Sequence, residues 1–80
     1  MASTYDNAPT NDPIKDALKK QIIDQVIETN RHIPGATMVI LNELQGKIGY
    51  ISAAMQQYVA DQLKIPVSQV HGVVSFYSFF

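Results

Sequence analysis

The chain has 80 residues, 46% of them hydrophobic, with a formal net charge of −1 and no cysteine. That length makes one domain at most and a modest core. The charge balance gives no electrostatic reason to expect a nucleic-acid partner or an anionic membrane surface. Without cysteine, disulfides and thiolate-ligated metal or iron–sulfur centres within these residues are excluded.

Residues 1–11 are small and polar with one proline and read as a disordered lead-in. They have neither the basic start nor the apolar stretch of a secretory signal, and no run approaches the ~20 apolar residues of a membrane-spanning helix. A soluble, cytoplasmic protein is expected.

Asp12 and Pro13 are a cap and a first helical residue, so the first helix is predicted to open there. Ile14, Ala17, Leu18, Ile22 and Val26 follow at helical spacing, with Ile23 and Ile27 widening the stripe. Lys15, Lys19, Lys20, Asp24 and Glu28 fall mostly on the other faces, where a solvated role suits them. Arg31 and His32 are placed in the last turn, favourable at the negative end of the helix dipole, before Ile33-Pro34-Gly35 breaks the helix.

A second helix is predicted from Thr37 to about Lys47, with Met38, Leu41, Leu44 and Ile48 on one face and Gly46 and Gly49 at its end. Ser52 is the expected N-cap of a third helix carrying Met55, Tyr58, Val59 and Leu63 inward, ended by Ile65-Pro66. Ser68 is the expected cap of the fourth. Four helices on short connections predict a small all-α bundle, with a helix-turn-helix-like corner between the last two.

The fourth helix is unusual. Val67, Val70, Val74 and Tyr77 make one stripe, and Val73, Phe76 and Phe80 a second beside it. Only Ser68, His71, Ser75 and Ser78 form a polar seam, and no charged residue follows Lys64. A helix apolar over most of its girth is buried on more than one side. The run is expected to be the front part of a larger buried element, with residues 12–80 forming a helical domain that precedes another.

Candidate chemistry is sparse. Ser75 is not in a Gly-x-Ser-x-Gly elbow and no acid lies near it in sequence. Asp24 and Glu28 share a helix face, which a solvated surface explains better than an acid–base pair. His32 and His71 are far apart in sequence and have no third ligand in view. Residues 59–70 have the rhythm of a helix-turn-helix, which makes a DNA-binding domain the alternative reading. The would-be recognition helix offers Gln69, His71 and Ser75 but no Arg or Lys. Gly46-Lys47-Ile48-Gly49 fits the Gly-x-x-Gly pattern of some RNA-binding loops, but that module needs a sheet, and a helix-ending pair of glycines accounts for it better.

An interaction surface remains, and here a resemblance becomes specific. Leu41-x-x-Leu44-Gln45, Gly49-Tyr50-Ile51, Val59-Ala60-x-x-Leu63-x-Ile65-Pro66 and Val70-His71-Gly72-Val73-Val74-Ser75-Phe76-Tyr77 together resemble one family. It is the N-terminal helical region of the thioredoxin-like [2Fe–2S] subunit of NADH:quinone oxidoreductase, NAD-linked formate dehydrogenases and NAD(P)-linked hydrogenases. The ending 72–80 is most similar to the type found in NADP-reducing iron hydrogenases. The resemblance implies electron transfer in a complex whose neighbouring subunits bind flavin and NAD(P) and carry the hydrogenase centre. It also implies a [2Fe–2S] cluster held by cysteines of a C-terminal domain, with no cofactor, metal or catalytic residue in the 80 residues themselves. Val73, Phe76, Tyr77, Phe79 and Phe80 are then expected to form the interface with that domain or with the neighbouring subunits. The fragment by itself is expected to have no activity, while belonging to an oxidoreductase complex.

Overall fold

A computed structural model describes residues 9–77, with side chains through Ser75. Four α-helices follow a short 3₁₀ turn at Pro13–Lys15: α1, Ala17–Asn30; α2, Ala36–Ile48; α3, Ala53–Leu63; and α4, Val67–Tyr77. Among the described residues there is no strand, and the chain is an all-α bundle. α1 packs on α2, α3 on α4, and α2 also meets α4. The radius of gyration, 11.8 Å, is that of a folded chain of this length, roughly 11–12 Å.

The start of α1 differs from the sequence expectation. Asp12 caps only the 3₁₀ turn, its Oδ1 accepting from the Ile14 N–H at 3.0 Å. α1 begins after Asp16, whose carboxylate accepts from the Leu18 and Lys19 amides at 3.0 and 3.1 Å. Two acidic caps four residues apart interrupt what reads as one helix. The interruption resets the helical phase. Ile14 folds back into the core, while Leu18 is 73% exposed and Ala17 is exposed as well. Ile23, Val26 and Ile27 carry the burial that the stripe from Ile14 to Val26 was expected to share.

α1 ends at Asn30, one residue before Arg31, so Arg31 and His32 lie beyond its last turn. Arg31 nevertheless serves a helix end, that of α3: its Nη2 donates to the Gln62 carbonyl at 2.9 Å, while Nη1 pairs with Glu28. The last carbonyls of a helix have no partner within it, and an arginine from another element supplies one here. Gly35, in the left-handed region at φ 71°, turns the chain into α2.

In α2 the buried residues are Ile40, Leu41 and Leu44, with Ile48 packed at the edge. Met38, expected inward, is 48% exposed. Met38, Val39, Ile40 and Leu41 are consecutive and apolar, so composition leaves the buried face open and the neighbouring helices choose it. Gly49 ends α2 at φ 103°, its N–H donating to the Gln45 carbonyl. A left-handed residue here lets the chain reverse while satisfying a terminal carbonyl.

Ser52 caps α3 as expected, its Oγ accepting from the Met55 N–H at 3.1 Å. Met55, Val59 and Ala60 are fully enclosed; Tyr58 and Leu63 are half-buried at the margin. α4 begins at Val67, which puts Ser68 inside its first turn and not at the cap. The Gln69 N–H already bonds the Pro66 carbonyl at 3.0 Å, closing that turn one residue early.

A candidate interaction surface on the last helix

α4 is aimed by the corner at 64–66. Lys64 adopts a left-handed conformation, φ 60° and ψ 44°. The Ile65 N–H reaches back to the Ala60 carbonyl at 3.0 Å and the Lys64 N–H to Asp61 at 3.3 Å. This is the paired bonding of a Schellman ending. Ile65 packs against the core beside Ala60, so the corner is tied by apolar contact as well as by hydrogen bonds.

Among the described side chains of α4, those that meet the bundle are covered to different degrees. Val70 is completely enclosed. Val73 and Val74 pack on the core but remain partly uncovered, and Val67 is 39% exposed. On the polar seam, His71 Nδ1 lies 3.0 Å from Gln56 Oε1, which gives the side-chain oxygen of that buried α3 residue a partner. Ser75 is exposed.

Of the five residues expected at an interface, Val73 is half-buried against its own core. Phe76 and Tyr77 lie on the α4 backbone, with side chains outside the described residues, and Phe79 and Phe80 lie outside them altogether.

A polar cluster joins α1 to α3 that single-helix reading misses. Asp24 pairs with Lys20 at 3.2 Å and accepts a hydrogen bond from the Tyr58 hydroxyl, 34 residues away. Lys20 Nζ sits 4.3 Å from the centre of the Tyr58 ring. Burial is the largest influence holding the Tyr58 hydroxyl above its ordinary pKa, with its bond to Asp24 adding to it. Lys20 is also raised, chiefly by Tyr58 and further by Asp24, against an opposing effect of burial. Asp24 is thus a link between helices, while Glu28 pairs with Arg31. The signal available in the sequence was the Lys20–Asp24 spacing of four; the tyrosine that completes the cluster is not local.

The residues present do not fit a resident iron–sulfur cluster. There is no cysteine in the chain. Among the described residues no three His, Asp or Glu side chains gather where they could hold a metal ion. No helix among them is long and apolar enough to cross a membrane. Beyond Lys64 there is neither Lys nor Arg, so the helix-turn-helix-like corner presents no cation from α4 to a phosphate backbone.

The family model for the thioredoxin-like [2Fe–2S] ferredoxin matches residues 23–80, which takes in the end of α1 and all of α2, α3 and α4. The chain belongs to the thioredoxin-like [2Fe–2S] ferredoxin family. Among curated relatives it is 36% identical over 72 residues to the NADP-reducing hydrogenase subunit HndA of Solidesulfovibrio fructosivorans, covering 90% of this chain and 42% of that protein. It is 40% identical over 45 residues to an NADH-quinone oxidoreductase subunit from Aquifex aeolicus, covering 56% of this chain and 28% of the relative. The chain therefore spans less than half the length of either. No solved structure matches significantly. The family resemblance carried by Leu41, Gly49, Pro66 and the 70–77 run is borne out; Leu41 is buried in the core, Gly49 ends α2, Pro66 precedes α4 and the run lies on α4.

Proposed function

We propose that these residues are a non-catalytic helical domain of an electron-transferring iron–sulfur subunit, in a cytoplasmic complex that reduces NADP with hydrogen. The domain positions the subunit; it does not carry electrons. In this reading a [2Fe–2S] cluster resides in a C-terminal domain of the same subunit. The α4 surface then docks against that domain or against the flavin- and NAD(P)-binding and hydrogenase subunits.

The observation that carries the reading is a family match across 23–80 in a sequence with no cysteine. The part of the family present here has no thiolate to ligate a cluster, which supports a positioning role. Supporting it is α4, which spends Val70 on its own core and leaves Val67, Val73 and Val74 partly uncovered. Such a surface gains by being covered, at about 25 cal/mol per Å².

The test uses the full-length subunit carrying Phe76→Ser and Phe80→Ser together, with pull-down of the flavin subunit as the readout. Loss of aromatic anchors at an interface weakens association by about 30-fold or more, and that loss is expected. Undiminished capture would overturn the docking role without touching the family assignment.

A further inference from the structure

We propose that Asp12 and Ser52 form a latch through which the N-terminal strap, residues 9–16, and the start of α3 open as a single unit. Asp12 is 7% exposed. Its Oδ1 accepts two hydrogen bonds, one from the Ile14 N–H and one from the Ser52 hydroxyl, each at 3.0 Å. Ser52 Oγ in turn accepts from the Met55 N–H at 3.1 Å. Two caps 40 residues apart are thus wired in series. The carboxylate that holds the strap's turn also orients the hydroxyl that holds α3.

The geometry makes the two ends interdependent. While the Ser52 proton points at Asp12, a lone pair on the same oxygen faces the Met55 amide. When the strap leaves, the half-buried hydroxyl loses its acceptor and its orientation is no longer set. When α3 frays, the buried Asp12 carboxylate loses a donor, and an underpaired buried carboxylate is costly. Linked hydrogen bonds in a poorly solvated site polarise one another, which strengthens the dependence. The strap is anchored apolarly too, since Pro13 and Ile14 are buried. The latch meets α3 at the corner 49–52, where Tyr50 is 47% exposed.

Native-state amide exchange on the 80-residue chain tests this. Ser52→Gly removes the link while keeping a residue tolerated at an N-cap, and Asp12→Ala removes it from the other side. Ser52→Gly is expected to speed exchange at Ile14, Lys15 and Asp16 about fivefold, the factor typical of one lost hydrogen bond. Asp12→Ala is expected to do the same at Met55 and Gln56, with Ile23 and Leu41 unchanged in both variants. Ser52→Thr, which keeps the hydroxyl, should restore the parent rates. The proposal is overturned if either substitution speeds only its own side, or if Ile23 and Leu41 accelerate equally with the rest. Should a variant not fold, the parent chain in low urea decides. A common denaturant dependence for the strap and α3 amides supports the latch, and separate dependences overturn it.

Discussion

Lys64 is the only residue other than glycine with a positive φ among those described, and Lys64→Gly should make the protein more stable. A left-handed conformation costs an L-residue about 1–2 kcal/mol. Glycine adopts it freely but costs roughly 0.4–1 kcal/mol through the greater freedom of the unfolded chain. The balance is a gain of about 1 kcal/mol, or a rise in Tm of about 4–8 °C for a domain of this size. The side chain is exposed, so removing it leaves no cavity, and the backbone bonds to Ala60 and Asp61 are kept. Thermal melts followed by far-UV circular dichroism on parent, Lys64→Gly and Lys64→Ala measure the effect. Lys64→Ala retains the Cβ and should stay near the parent. A glycine variant melting at or below the parent would refute the reasoning. So would an alanine variant that gains equally, since the gain would then come from deleting the lysine side chain and not from relieving the backbone.

Gly72→Ala and Gly49→Ala should shift stability in opposite directions in urea denaturation. At both sites an added Cβ meets nothing within 4 Å, so the backbone alone sets the sign. Gly72 is mid-helix and should gain roughly 0.5–1 kcal/mol; Gly49, at φ 103°, should lose about 1–2 kcal/mol. The Lys20–Asp24–Tyr58 cluster should make stability fall in alkali. Both Tyr58 and Lys20 are raised above their ordinary values of 10.0 and 10.5, so the folded state favours their protonated forms. That contribution is fully present below about pH 10 and is lost as pH rises through the folded values. Melting temperature measured from pH 8 to 11 should drop above pH 10, and the drop should be shallower in Tyr58→Phe.

How far the candidate surface could be read from sequence depends on how local its causes are. The half-covered state of α4 follows from its own pattern of valines. That Val70, and not Val67, is the enclosed one depends on where α3 and α2 lie. His71 was legible as part of a polar seam, but its partner Gln56, 15 residues earlier, belongs to another helix. The same holds for Tyr58 with Asp24 and for Arg31 with the end of α3. Each pairing joins elements whose separation along the chain carries no periodic signal.

The order of residues was sufficient for the helical class, the breaks between helices before Pro34-Gly35, at Gly49 and before Pro66, the Ser52 cap and the absence of thiolate ligands. These depend on backbone conformation and side-chain chemistry acting over a few residues. Packing decided the rest: the burial of Ile14 on one side of the break that Asp16 caps locally, the choice of Ile40 over Met38, and the joining of Asp12 to Ser52. When several faces of a short helix are apolar, burying any of them yields similar transfer free energy. The choice then falls to the shape of the neighbouring helices, which is a property of the assembled bundle and of no single segment.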